Sequence, residues 1–310
     1  MTDAESPTPG RGRWRRRLGY AAAAVVLAFL AWALVDGWSQ VRRYQWDVDV
    51  PLLAASVAVL LVFFATSGLG YVGVVEALAP SPRPSRRAML RVWATSLLGR
   101  YVPGSVLMVV GRLEMGRDHG VARRVSAAAL VYEQSLGLGV AAIGSVGFLA
   151  AYGAVGSRWA VLAVLAVPVL LVALHPRVFG PLSARALAAV RRPPLERLIR
   201  RRDVLALVAW YALTALLLAV GVWLAMRALA GPSVGSAAFV GGAFLFAFTL
   251  SMVLIIFPSG LGVRDGAFAL ALAQHVPQGV AVALSVSCRL LLTVVELVFV
   301  GLVVMGTRRR

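Results

Sequence analysis

Long apolar stretches, separated by short polar segments that carry arginines, run along most of the chain. A helix needs about 20 mostly apolar residues to cross the hydrocarbon core of a bilayer. Stretches of this kind predict six membrane-spanning helices, at about residues 18–35, 51–78, 125–151, 158–174, 204–229 and 280–306. The hydrophobic fraction of 60% also exceeds that of a typical soluble domain. The pattern therefore predicts an all-α, polytopic membrane helical bundle.

The first predicted span has one alternative. Residues 1–17 are polar and then basic, and the apolar run follows directly, which is also the layout of a cleaved signal peptide. Ala31-Trp-Ala33 would be a poor cleavage site and further membrane segments follow, so an uncleaved span is favoured. We then expect a basic cytoplasmic tail at 1–17, a single transmembrane domain at 18–306 and a basic tail at 307–310.

Two further apolar stretches are interrupted by proline and glycine and are not expected to be straight spans. Proline removes a helical donor, and non-helical backbone at membrane depth must be buried in protein or line a wet cavity. Each interruption therefore predicts a re-entrant hairpin, at about residues 88–111 and 236–274. For the first, an amphipathic helix on the membrane surface is the alternative. The residues expected to form the breaks are Pro103, Gly104, Pro258, Gly260 and Gly262.

All 31 basic residues are arginines, against 13 acidic residues, and most lie between the apolar stretches. If both termini and the connections at 79–91, 112–124 and 175–203 are cytoplasmic, that side holds 24 arginines and the other side four. The positive-inside rule favours this arrangement, which argues against a nucleic-acid partner. It requires the two hairpins to open on opposite sides. Residues 18–151 and 158–306 would then form an inverted repeat, a layout that places transporter sites near mid-membrane.

Charges within the apolar segments are the candidates for binding an anionic or phosphate-bearing head group, because a charge inside a membrane normally pairs or faces a cavity. Glu133 lies 30 residues after Pro103 and Arg289 lies 31 after Pro258, so we expect one interior cluster around these two charges. A purely structural ion pair is the alternative. The candidate substrate-binding residues are Arg100, Glu133, Arg264, Asp265, Arg289 and Glu296.

The neighbours Arg264 and Asp265 follow the stronger break. On a helix their side chains point about 100° apart, so they are not expected to pair with each other. A carboxylate in a first turn is favoured by the helix dipole, and the guanidinium fork suits a phosphate. The sequence contains no Walker motif, nucleophile elbow or metal-ligand cluster, and Cys288 is its single cysteine. We therefore expect no enzyme, no cofactor and no metal.

Phe257-Pro-Ser-Gly-Leu-Gly-Val-Arg-Asp-Gly-Ala267, with Arg289 and Glu296 after it, resembles the signature of the lysylphosphatidylglycerol synthase transmembrane family, the flippase-like region also found in the bacterial multiple peptide resistance factor. Arg100-Tyr-Val-Pro-Gly104 and Glu133 resemble the family's first-half motif and its in-membrane acidic residue. The similarity extends over about residues 18–306. Ser259 stands where the family usually has glycine, and Asp265 where it usually has glutamate.

This resemblance implies a multi-pass protein of the bacterial cytoplasmic membrane that binds or translocates a lipid with an anionic or phosphate-bearing head group. The soluble aminoacyltransferase domain of the full-length synthases has no counterpart in these 310 residues, so lysyl transfer is not implied. Two other functions stay open: an anchor or regulatory partner of a separate lipid-modifying transferase, and a membrane enzyme acting on a lipid phosphate. Homo-oligomerisation also stays open.

Overall fold

The computed structural model describes residues 38–44, 46, 48–80, 83–101, 106–152, 176–189, 193–253 and 262–308. In these ranges the chain forms α-helices and short 3-10 helices and no β-strand. The α-helices are α1 (Trp38–Arg43), α2 (Val50–Leu78), α3 (Arg86–Leu97), α4 (Val106–Asp118), α5 (Arg123–Tyr152), α6 (Pro176–Ala189), α7 (Arg201–Ala230), α8 (Ala237–Val253), α9 (Val263–Leu272) and α10 (Gln278–Arg308). The 3-10 helices are Leu98–Tyr101 and Gly231–Val234.

Within the described ranges, four helices are long and apolar enough to cross a membrane: α2, α5, α7 with the 3-10 turn after it, and α10. They confirm the spans predicted at about 51–78, 125–151, 204–229 and 280–306. Large apolar side chains such as Leu216, Leu290 and Leu302 are more than half exposed on them, as expected of a surface that faces lipid. The chain is thus a helical, multi-pass membrane protein.

Several predictions fall outside the described ranges. These are the first and fourth predicted spans, at 18–35 and 158–174, and the break residues Pro103, Gly104, Pro258 and Gly260. Of the predicted break residues, Gly262 is described, and it lies directly before α9 with a φ of 90°. Because this conformation strains any residue with a Cβ, glycine suits the start of α9 well.

Two pairs of short helices occupy the interrupted segments. The helices α3 and α4 have 12 and 13 residues and pack against each other. A helix of this size is about 18–20 Å long, against a hydrocarbon core of about 30 Å. Their junction is tight, because a Cβ added to Gly99 would lie 2.7 Å from the carbonyl carbon of Leu107. The helices α8 and α9, of 17 and 10 residues, also pack together.

The long helices form the core around these pairs. The helix α2 packs along α7, where the buried Ser56 hydroxyl donates to the carbonyl oxygen of Gly221 at 2.7 Å. The helix α5 packs on α8, and α10 contacts α9, α3 and α2. Hence α10 touches helices next to both predicted breaks, which makes it the element on which charges from the two segments can meet.

One boundary differs from the sequence prediction. Residues 112–124 are not a basic connection, because α4 extends to Asp118 and α5 begins at Arg123. Arg112 therefore lies within a helix and is only 1% exposed. The connection predicted at 175–203 contains α6.

Candidate functional site

The charged side chains between the long helices fall into two groups that differ in balance and exposure. We call Arg112 and Glu133 the sealed pair. The open cluster comprises Arg100, Arg264, Asp265, Arg289 and Glu296. Together the two groups contain all six residues that the sequence predicted to bind a head group, and one residue that it did not, Arg112.

The sealed pair joins α4 to α5. Nη1 of Arg112 donates to Oε2 of Glu133, and Nε of Arg112 donates to the Ser96 hydroxyl at 3.0 Å. The guanidinium carbon also lies 4.8 Å from the centre of the Tyr71 ring, a favourable cation–π distance. The two charged side chains are 1% and 11% exposed. This pair is enclosed by protein and satisfied within it.

Trp93 separates the sealed pair from α10. Its indole Nε1 donates to Oε1 of Glu133 at 2.7 Å, so both oxygens of this carboxylate accept a hydrogen bond. The Trp93 indole also packs edge-on against Phe299, whose ring stacks on Phe64. The result is an aromatic layer between Glu133 and the middle of the last helix.

The open cluster begins with Asp265, in the first turn of α9, where the helix dipole favours a carboxylate. Nη1 of Arg289 donates to Oδ2 of Asp265, and Nε of Arg264 lies 3.5 Å from Oδ1. The Ser285 hydroxyl donates to the Asp265 carbonyl oxygen at 2.8 Å. These contacts fasten the start of α9 to α10.

A second ion pair completes the open cluster from the other interrupted segment. Nε of Arg100, in the 3-10 helix after α3, lies 3.2 Å from Oε1 of Glu296 on α10. Arg264 also interacts electrostatically with Glu296. Arg289 and Glu296 lie 11 and 18 residues into the 31-residue α10. Residues from both interrupted segments therefore meet near the centre of a membrane-spanning helix.

The open cluster has more positive than negative charge, and its positive charges are the accessible ones. Its three arginines face two carboxylates, which leaves a formal charge of +1. The side chains of Arg264, Arg289 and Arg100 are 25%, 33% and 41% exposed, whereas those of Asp265 and Glu296 are 6% and 4% exposed. The buried carboxylates hold the arginines in place, and in the described contacts each carboxylate engages only part of a guanidinium group, which has five N–H donors.

The geometry corrects two expectations. The charges do not form one cluster around Glu133 and Arg289, because Glu133 pairs with Arg112 and Arg289 pairs with Asp265. The adjacent Arg264 and Asp265 do pair, since the long arginine side chain can bend back across the angle between them.

Arg112 is the residue that the sequence interpretation missed. It was assigned to a polar connection because other arginines follow it closely. A signal was nevertheless present: Arg112 comes directly after the apolar run at 106–111, 21 residues before an intramembrane carboxylate that needed a partner.

In the described part of the chain, no group of three or more His, Cys, Asp or Glu side chains could hold a metal ion.

A comparison with protein families agrees with the resemblance found in the sequence. The family described as the lysylphosphatidylglycerol synthase TM region matches residues 19–300, which include both interrupted segments and all charged residues of the sealed pair and the open cluster. No curated protein matched the chain.

Proposed function

The chain belongs to the lysylphosphatidylglycerol synthase transmembrane family, and we propose that its open cluster binds the anionic, phosphate-bearing head group of a membrane lipid and passes it between the leaflets. The observation that carries this proposal is the excess positive charge of the cluster, presented by partly exposed arginines near the middle of α10. An uncompensated cation at this depth is unfavourable, and a lipid phosphate would neutralise it.

The chemistry of the arginines suits a phosphate better than a neutral ligand. A guanidinium group presents several donors in a planar fork that matches two phosphate oxygens. In the contacts between described residues, Asp265 and Glu296 each engage only part of their arginine partners, and the other N–H groups would bind the ligand. Binding would exchange ion pairs and hydrogen bonds without a covalent step, so the proposal requires neither catalysis nor a cofactor.

The proposed topology has six spans and two re-entrant hairpins in an inverted repeat, with both termini in the cytoplasm of a bacterial cell. The helix lengths support the repeat: α2, α3, α4 and α5 have 29, 12, 13 and 30 residues, and α7, α8, α9 and α10 have 30, 17, 10 and 31. Among the described residues, each half thus contains a long helix, two short helices and a second long helix in the same order. In such repeats the site lies between the halves.

A lipid-exchange assay in vesicles tests the proposal. The purified protein would be reconstituted into phosphatidylcholine vesicles that contain a trace of NBD-labelled phosphatidylglycerol, and dithionite would then bleach the label in the outer leaflet. We expect label from the inner leaflet to become bleachable with the wild type and to stay protected with Arg289→Gln. Arg42→Gln, at an exposed arginine of α1, is the matched control.

The outcomes separate a transport site from other roles. If Arg289→Gln exchanged the labelled lipid between the leaflets at the wild-type rate, the lipid head group would not pass through the open cluster. Absence of both exchange and lipid binding in the wild type would favour an anchor for a separate transferase. Size-exclusion profiles of all three proteins would establish that each variant is folded.

A further inference from the structure

A second basic site lies at the arginine-rich ends of the helices, away from the open cluster. A cavity of about 330 Å³ opens between the segment that follows α2, the turn between α4 and α5, and the segment that precedes α7. We call it the end pocket. The polar side chains that line it are Arg83, Ser85, His119, Arg124 and Glu196.

The end pocket carries more positive than negative charge and contains a buried N–H donor that lacks an acceptor among the described residues. Two guanidinium groups, from Arg83 and Arg124, face one carboxylate, Glu196. Nη2 of Arg124 donates to Oε1 of Glu196, but Nε of Arg124 is buried and has no hydrogen-bond partner among the described residues. A buried donor without an acceptor is unfavourable. An oxygen of a ligand in the pocket would relieve this.

The local backbone increases the positive potential. The first turn of α5 carries Arg123 and Arg124 at the end where the helix dipole is already positive, and it contains no acidic residue. Arg123 is compensated by Glu114, whose Oε2 lies 2.5 Å from its Nη2. Arg124 depends on Glu196, whose side chain is 54% exposed and belongs to a non-helical segment. This carboxylate is therefore the replaceable member of the pair.

We propose that the end pocket binds a phosphate group between Arg83 and Arg124, in place of the Glu196 carboxylate. The site is independent of the proposed lipid-crossing path, because it shares no residue with the open cluster. The phosphate could belong to a lipid head group, since Ala79 and Pro80 of the pocket directly follow the membrane helix α2, or to a soluble phosphate. The chemistry of recognition is the same for both.

Thermal unfolding of the full chain in a neutral detergent tests this site, because a ligand that binds only the folded state raises Tm with concentration. The probes are inorganic phosphate, compared with chloride at equal ionic strength, and dioctanoyl phosphatidylglycerol, compared with dioctanoylglycerol, which has no phosphate. All titrations would be carried out in an Arg264→Gln background as well, so that binding at the open cluster is recognised.

We predict opposite changes in the phosphate-dependent rise in Tm for two sets of variants. Arg83→Gln with Arg124→Gln should abolish the phosphate-dependent rise in Tm, whereas Glu196→Gln should shift the titration to several-fold lower phosphate because the competing carboxylate is gone. Arg87→Gln, an exposed arginine of α3 outside the pocket, is the matched control and should titrate like the wild type. If the double variant does not fold, the single variant at the exposed Arg83 replaces it.

Each result decides the proposal. A rise in Tm with inorganic phosphate assigns the site to the phosphate group alone, and a rise only with phosphatidylglycerol assigns it to a lipid; both support the pocket. No rise with either probe, a rise that survives the double variant, or weaker binding by Glu196→Gln would overturn it.

Discussion

The sealed pair and the open cluster both consist of arginines and carboxylates, yet their surroundings differ, and we propose different roles for them. In the sealed pair one arginine meets one carboxylate, the charges cancel, and the arginine is 1% exposed. In the open cluster three arginines meet two carboxylates, and every arginine is at least 25% exposed. Charge balance and enclosure favour a structural role for the sealed pair, whereas excess positive charge and accessibility support the binding role proposed for the open cluster.

The comparison also shows why Glu133 is best regarded as part of the framework. Its two oxygens are taken by Arg112 and Trp93, so a ligand would have to displace contacts that are already made. The open cluster needs no such displacement, because its arginines keep accessible donors. Predictions that separate stability from lipid binding can therefore test the distinction.

The largest expected effect is the loss of one member of the sealed pair. Glu133→Ala leaves Arg112 buried without a counter-charge, and removal of one partner of a buried ion pair lowers stability by about 3–5 kcal/mol. We expect this variant to unfold at much lower temperature or to be recovered poorly from membranes. Thermal unfolding in detergent is the measurement, with Glu114→Ala, at a half-exposed carboxylate of the same helix as Arg112, as the control.

The double variant Arg112→Met with Glu133→Leu sharpens this prediction. It removes both charges together and fills the site with side chains of similar size, so it should be more stable than Glu133→Ala. If Glu133→Ala were as stable as the wild type but defective in lipid exchange, Glu133 would belong with the binding residues after all.

The next effect concerns lipid binding and should leave stability nearly unchanged. Arg264→Gln removes a partly exposed guanidinium but keeps Asp265 paired with Arg289. A hydrogen bond to a charged group contributes about 1.5–3 kcal/mol, so affinity for dioctanoyl phosphatidylglycerol should fall by about tenfold or more. Arg264→Lys keeps the charge but loses the planar fork of donors, so its affinity for this lipid should lie between those of the wild type and Arg264→Gln. If the wild type and Arg264→Gln bound the lipid with equal affinity, Arg264 would not be part of the binding site.

The sequence predicted the parts of this structure that depend on local pattern. The long apolar runs determine α2, α5, α7 and α10, because a helix in lipid satisfies its own backbone groups whatever its neighbours are. Glycine and proline likewise marked the short helix pairs, since they act on the backbone where they stand. The six residues predicted to bind a head group could be selected from the sequence because charges within apolar runs are rare, and their role in binding stays a prediction.

Ion pairs between residues that are distant in the sequence could not be predicted from local pattern. Arg100 and Glu296 meet across nearly two hundred residues, and only the packing of the 3-10 helix against α10 brings them together. Arg112 was missed because a charge near other charges looks like part of a surface loop, whereas its environment depends on how α4 packs against α3 and α5. Tertiary contacts, rather than spacing along the chain, decide which charges are sealed and which are accessible.

The smallest effect tests whether the aromatic layer couples the two groups or only separates them. Trp93→Phe keeps a ring against Phe299 but removes the donor to Oε1 of Glu133, and an acceptor left without its partner lowers stability by about 1–3 kcal/mol. We expect a modest fall in Tm with unchanged affinity for dioctanoyl phosphatidylglycerol, because Trp93 makes no contact with the cations of the open cluster in the described interactions. Trp38→Phe, at an exposed tryptophan of α1, controls for the loss of an indole. If affinity instead fell in parallel with stability, the hydrogen bond to Glu133 would be positioning α10 for the ligand, and the sealed pair would act on binding through Trp93 and Phe299.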